Sequence, residues 1–380
     1  MISRQDVERL ADFRAANHSA ISFYYVPVAP QDRSHRQESI LIKDLIRGES
    51  RSKRAAASVR ADLERIHWRA NELREVSVPK AIFACHERGV WEEFDVPWTN
   101  VNSVIQVGRQ FHIKPLVAAI EDSESVCIAL IDRGVNRLFR MQHGSLVEDR
   151  FPEQGNGGRK ARTVGTGYSS KFERSVENGV TLHYKTLANH LMFLYERGEF
   201  NLFILGGREE MLPMFLQYLP SPVHQVLIGT LHCDPGLAEL PAIKAKAQEL
   251  IEERRLSERN GLVRELTGEA KRNARGAMGL AKVLQALERG EVQQLVLSKD
   301  FAVKGTLCPN CEHLDSRMLD HCPVCATHML EQDDISDVMV ARAYRSKAGV
   351  VVVDGSEFAG RVGALLRFRA DQNTPKKLAS

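Results

Sequence analysis

Four of the seven cysteines lie between positions 308 and 325, as Cys308-Pro309-Asn310-Cys311 and Cys322-Pro323-Val324-Cys325. No other feature restricts the fold as strongly. Each Cys-x-x-Cys unit presents two thiols from one tight turn, and two such units can surround one ion with a tetrahedron of sulfur. The stretch they enclose is too short to build a hydrophobic core, so an ion must organise it. A redox pair is the rival reading for a single Cys-x-x-Cys unit and does not account for two within so short a stretch. Zinc suits four thiolates, and iron is the alternative occupant. Four sulfur ligands leave no open position for a catalytic water, which makes the ion structural. His313, His321 and His328 share the segment and read as surface histidines on a loop.

Composition narrows the class. The chain is 43% hydrophobic and 27% charged, the balance of a globular protein with ample core material. No run of 18 apolar residues occurs, so a membrane span is not expected. Met1 to Asp6 leads into charged, helix-like sequence rather than an apolar signal core. With an odd number of cysteines, this reads as a reduced cytoplasmic protein and not a disulfide scaffold. Lys and Arg number 52 against 49 Asp and Glu, a formal charge of +3. That excludes a histone-like polycation and leaves nucleic-acid contact to local basic clusters.

At about 150 residues per domain, 380 residues suggest two or three domains. The apolar runs Ile21–Val26 and Lys80–Cys85 predict strands, the second returning through His86–Gly89 into a hairpin partner, Val90–Phe94. A long helical stretch from about Ser39 to Glu75 carries Arg51, Lys53, Arg54 and Arg60. Val126–Ile131 and Val135–Met141 predict a second hairpin. A helix from Ser169 or Ser170 presents Phe172, Val176, Val180, Tyr184, Leu187, Leu191 and Tyr195 on one face, and Gly198 stops it. Leu202–Leu205 is a strand ending in Gly206-Gly207. Further on, helices are expected over Ile243–Arg255, Val263–Glu288 and Ile335–Lys347, with strands at Gln294–Ser298 and Gly349–Asp354. Strands alternating with helices predict sheets covered on both faces.

Between hairpin and helix lies Gln154-Gly155-Asn156-Gly157-Gly158-Arg159-Lys160-Ala161-Arg162. Glycine lets backbone amides approach an anion closely, and Arg159, Lys160 and Arg162 supply phosphate contacts. In this setting the segment resembles the central domain of the archaeo-eukaryotic peptide-release factors, where a loop tip bearing Gly-Gly-Gln enters the peptidyl-transferase centre. The match falls on Gly157, Gly158 and Arg159. Val283 to Val292 with Leu295-Val296-Leu297, then Gly355-Ser356-Glu357-Phe358 and Gly363 to Phe368, are similar to the C-terminal domain of that superfamily. Ile21-Ser22-Phe23-Tyr24, Ala81-Ile82-Phe83-Ala84 and Phe111-His112-Ile113-Lys114-Pro115-Leu116 look like its bacterial branch.

The resemblance implies three consecutive α/β domains: residues 1–120; a central RNase H-like domain over 121–236; and 237–372, an α/β sandwich with a zinc ribbon inserted at 306–330. It implies the ribosome and tRNA as partners, with a translational GTPase as a further one, and the loop tip as the seat of any peptidyl-tRNA hydrolysis. Arg159 stands where the family glutamine would be, which keeps a backbone amide and removes the side chain's help in positioning water. The first segment lacks the Asn-Ile-Lys-Ser and Tyr-x-Cys-x-x-x-Phe runs of the stop-codon readers, so the chain resembles Pelota, the member that rescues stalled ribosomes. Arg51, Lys53 and Arg54 join the loop cations as expected RNA contacts.

Two other classes stand beside this one. A non-catalytic RNA-binding regulator fits the basic clusters. A two-metal nuclease needs several carboxylates converging on strand ends, and the central strands offer Asp132, with Glu121, Asp122 and Glu124 in the preceding loop, better read as a solvated turn. Cys85, Cys127 and Cys233 read as core cysteines. Although Cys233 lies between His232 and Asp234, adjacent strand residues point to opposite faces. Gly206-Gly207 reads as a tight turn rather than an anion cradle.

Overall fold

The computed structural model describes residues 4–15, 17–27, 43, 44, 46, 47, 57–72, 79–96, 103–121, 124–132, 136–142, 145–149, 169–332, 334–355 and 358–369. The chain divides into two compact units, Met1–Asp122 with Arg259–Ser380, and Ser123–Glu258.

The N-terminal part of the first unit comprises α1 (Arg4–Asp12), β1 (Ala20–Tyr25), α2 (Ala57–Glu72), β2 (Lys80–Cys85), β3 (Val90–Asp95), β4 (Val104–Gly108) and α3 (Lys114–Glu121). Its strands form an antiparallel sheet in the order β3-β2-β1-β4. The β2–β3 connection turns through Gly89 at φ 63°, a left-handed position that glycine adopts without strain. Alternation along the strands sends Ile21, Phe23, Tyr25, Ile82 and Ala84 against Val59, Leu63 and Ile66 of α2. Tyr24, Ala81, Phe83 and Cys85 face the other way. Strand β2 is an unbroken apolar run because both of its faces are covered.

The second unit contains β5 (Val126–Ile131), β6 (Arg137–Gln142), β7 (Ser145–Asp149), α4 (Ser169–Glu196), β8 (Leu202–Gly207), α5 (Leu212–Leu216), α6 (Ser221–Gln225), β9 (Leu227–His232) and the first part of α7 (Leu240–Lys271). Its sheet runs β7-β6-β5-β8-β9. Strands β5, β8 and β9 are parallel, while β6 and β7 continue antiparallel. Tyr184, Leu187 and Leu191 of α4 cover one face with Phe215 and Val223; Ile243, Ala247 and Ile251 of α7 cover the other. Gly198, at φ 69°, ends α4 as expected. A Cβ on Gly207 would lie 2.7 Å from the Ile131 carbonyl oxygen. Gly206 and Gly207 therefore serve close strand packing inside β8.

The chain returns to the first unit with β10 (Gly276–Met278), α8 (Leu280–Glu288), β11 (Val292–Ser298), β12 (Gly305–Leu307), β13 (Leu314–Asp315), β14 (Leu330–Gln332), α9 (Ser336–Arg345), β15 (Gly349–Val353) and β16 (Val362–Leu366). A sheet of order β10-β16-β11-β15 carries one parallel pair, β11 with β15. A small sheet, β13-β12-β14, makes the ribbon. The helix expected over Val263–Glu288 is interrupted. Helix α7 stops at Lys271, Asn273 takes φ 53°, and the chain doubles back as β10. A Cβ on Gly276 would come within 2.3 Å of the Ala270 nitrogen, so the strand passes the helix backbone at a distance only glycine permits.

The segments read as first and third domains share one hydrophobic core. Val7, Leu10, Phe83, Phe111 and Leu116 are continuous with Val283, Leu287, Leu297, Val338 and Val350. The central unit ends at Glu258 rather than 236, because the first half of α7 belongs to its sheet. Among the described residues no helix is long and apolar enough to cross a membrane.

A buried polar link at His112 joins the two parts of the shared core. His112 Nδ1 lies 2.6 Å from Asp337 Oδ2, with both side chains largely buried. The Tyr24 hydroxyl donates to the His112 carbonyl, and the His112 amide donates to Ser22 Oγ. Burial alone would lower the imidazole pKa, but attraction to Asp337 and their hydrogen bond outweigh it and hold the group above its ordinary value. A raised folded-state value means the pair's contribution is complete below the unfolded value of about 6.5 and fades as pH rises through the folded value. His112→Gln should cost about 2 kcal/mol at pH 6. The deficit should shrink steadily on going to alkaline pH, and urea titrations of both proteins across that range check it. A deficit independent of pH would show that the imidazole is not charged in the folded protein.

Candidate metal centre

The ribbon is built from two near-identical turns. Glu312 N–H donates to the Cys308 carbonyl at 3.0 Å, and Ala326 N–H to the Cys322 carbonyl at 2.9 Å. Cys308 N–H reaches the His313 carbonyl and Cys322 N–H the Thr327 carbonyl, each at 2.9 Å. Sulfur also receives backbone donors, Cys311 N–H on Cys308 Sγ at 3.5 Å and Val324 N–H on Cys322 Sγ at 3.4 Å. Proline second in each turn fixes φ where no donor is needed. Strand β12 pairs with β13 on one side and β14 on the other, which brings the two turns face to face.

The four sulfur atoms lie within 4.8 Å of one another. Separations are 3.4 Å for Cys308–Cys325, 3.5 Å for Cys311–Cys322 and 3.4 Å for Cys311–Cys325. These are far from the 2.05 Å of a disulfide and near the edge of about 3.8 Å that a tetrahedron with 2.3 Å zinc–sulfur bonds requires. The donor set therefore fits a structural ion. Cys308 and Cys322 are buried against Met329 and Leu319, whereas Cys311 is exposed. Thr327, with its hydroxyl 3.3 Å from Cys325 Sγ, holds that thiol down at about 5. At Cys311 the His313 amide favours the thiolate, but desolvation and the surrounding sulfurs push the group up to about 12. Four negative sulfurs cannot gather here without a cation to offset them.

Two of the three ribbon histidines, His313 and His328, are engaged elsewhere. His313 Nδ1 sits 2.5 Å from Glu288 of α8, and the His328 ring nitrogen is 2.8 Å from the Met329 carbonyl. Among the described residues no other group of three or more His, Cys, Asp and Glu side chains lies close enough to hold an ion. Glu124 is ion-paired with Arg254 and Arg255 at 3.3 and 3.1 Å, which commits it to structure. Cys85 and Cys127 are fully buried; burial pushes the Cys233 thiol up, the opposite of an activated nucleophile. Gly157, Gly158, Arg159, Lys160 and Arg162 lie outside the described residues, in the segment between β7 and α4, and so do Arg51, Lys53 and Arg54.

Metal content is the direct check. Purified protein should carry about one equivalent of a thiolate-bound ion. Cys308→Ser should abolish it and expose residues 305–332 to protease, with β11 and β15 still protected. Less than a tenth of an equivalent, with no uptake on reconstitution, would refute the site.

Residues 112–259 match the family model described as bacterial archaeo-eukaryotic release factor family 10, a span that takes in the whole central unit. No curated protein matches. Among solved structures, an archaeal translation termination factor, aRF1, aligns at 18% identity over 97% of this chain and 99% of its own, with a TM-score of 0.26. Pelota from Archaeoglobus fulgidus aligns at 13% identity, covering 97% and 93%, with a TM-score of 0.36. Dom34 from S. cerevisiae aligns at 11%, covering 79% and 84%, with a TM-score of 0.40.

Proposed function

With residues 112–259 placing the chain's resemblance in the bacterial branch of the archaeo-eukaryotic release-factor superfamily, we propose that it is a ribosome-associated translation factor acting in ribosome rescue or translation quality control. The observation that carries this is the family match itself, because it runs through the glycine-rich basic segment and the helix that follows it. In this reading the chain works in the cytoplasm on the ribosome and tRNA, with a translational GTPase as a further partner. The central unit serves as the RNase H-like domain of the superfamily, and zinc holds the ribbon of the C-terminal part.

The chemistry assigned to residues 155–162 is mainly electrostatic. Arg159, Lys160 and Arg162 neutralise RNA phosphates, while Gly155, Gly157 and Gly158 keep the backbone close enough to contribute amide donors. Arg159 in place of glutamine favours a Pelota-like role in which the tip binds without orienting a hydrolytic water. A hydrolytic factor is the second reading, since the backbone amide of residue 159 is retained. The first segment lacks decoding runs, so ribosomes halted at sense and stop codons should be engaged alike.

Replacing Arg159, Lys160 and Arg162 together by Ala should weaken binding to stalled ribosomes and flatten its salt dependence by about two units in log affinity against log salt, at about 0.7 per phosphate. Unchanged affinity and slope would remove the segment from the mechanism. Following peptidyl-tRNA in the same complexes separates the two readings. It stays intact with a binding-only factor and is released by a hydrolytic one, and Arg159→Gln should raise release only in the second case.

A further inference from the structure

The residue that closes the first cysteine turn also reaches out of the ribbon. Glu312 has φ 59°, and Ala326 closes the second turn at φ 57°. Glycine is the ordinary occupant of such positions. A long acidic side chain held in that conformation needs a reason elsewhere, and its partners supply one. The Glu312 carboxylate accepts from Arg345 Nη1 at 2.6 Å, and its carbonyl accepts a short hydrogen bond from Arg342; both arginines belong to α9. Arg345 also lies 3.8 Å from Asp12 at the end of α1. Just beyond, Arg14 folds back to donate to the Ala11 and Phe13 carbonyls at 2.7 Å. Arg342 and Arg345 thus converge on Glu312, and Arg14, Asp12 and Glu288 lie close enough to act on the same cluster. Burial first, and then the nearby Arg345, lower both Arg14 and Arg342 from the ordinary arginine value.

We propose that Glu312 ties metal occupancy of the four-cysteine site to the seating of α1 on α9. With the thiolates held around an ion, the turn is fixed and the Glu312 carboxylate stays against Arg345, offsetting repulsion among Arg14, Arg342 and Arg345. Loss of the ion frees the turn, withdraws that carboxylate and leaves the three cations less fully offset, by Asp12 and Glu288 alone, where α1 meets α9. The residue acts as a positioning group outside the ligand set, in the way that outer partners of metal sites hold and tune them. The rival view is that α1 is held by its apolar face alone, through Val7, Leu10 and Ala11.

Hydrogen exchange of the full chain, loaded with zinc and then stripped by a chelator, distinguishes the two. Stripping should speed exchange in the ribbon and also, by about fivefold or more, across residues 4–12, with β5 unchanged as an internal reference. Glu312→Gly suits the left-handed φ, so it should keep a full equivalent of zinc and a protected ribbon while α1 exchanges as fast as in the stripped protein. Glu312→Gln, which keeps size and removes charge, should loosen α1 in the same way and serves if the glycine variant does not fold. Zinc-loaded variants whose α1 remains as protected as wild type would overturn the coupling, as would a stripped protein with an indifferent α1. A chain that binds no zinc at all would overturn the metal reading and the coupling together.

Discussion

Helix α9 is buried along most of its length, with Arg345 exposed at its end. Ser336 through Ala341, Ala343 and Tyr344 are all buried, leaving Arg342 and Arg345 as its less buried positions. A helix buried over most of its residues must be covered from more than one side. The parallel strands β11 and β15 that it connects cover one flank with α8; α1 and α3, from the far end of the sequence, cover the other. Discontinuity of the first unit follows from this requirement. So does the placement of its polar links. Asp337 can be buried because His112 and the Lys114 amide meet it. The Lys114 ammonium reaches the Phe301 carbonyl at 2.6 Å, and Asp334 accepts both the amide and hydroxyl donors of Ser336.

Much of the secondary structure could be read from local pattern. Strands β2, β5 and β8 are short apolar runs bounded by charge or glycine, and the buried face of α4 keeps its helical spacing. Strand β10 was not legible. Its three residues carry no strand signal, and what makes it a strand is pairing with Gly363–Leu365 and the backbone approach at Gly276. The shared core was equally hidden. Nothing in the local sequence of Val7, Leu10 or Phe111 says that their partners lie more than two hundred residues away; sheet and helix periodicity report which face is buried, never by what.

The metal centre shows the same division. Two Cys-x-x-Cys units at short spacing announce four converging thiolates, because that geometry is local to each turn and the ribbon only brings two turns together. Thr327 as the group that favours the Cys325 thiolate and Glu312 as a bridge to α9 carry no sequence signal. Their roles depend on contacts made after the chain has folded. The basic glycine-rich segment is the reverse case, conspicuous in composition and chemically interpretable from its residue types alone.

The interrupted first unit sets the order in which the chain can assemble. The central unit is contiguous, from Ser123 to Glu258, and has all its strands and covering helices once that stretch has been made. The N-terminal sheet must wait for α8, α9 and the strands around them before its second face is covered. At about 5–20 residues per second, elongation from α3 to α9 takes roughly ten to forty-five seconds. During that interval Tyr24, Phe83 and Phe111 have no partners from the C-terminal part. This window of exposure is fixed by where the contiguous central unit interrupts the first in sequence.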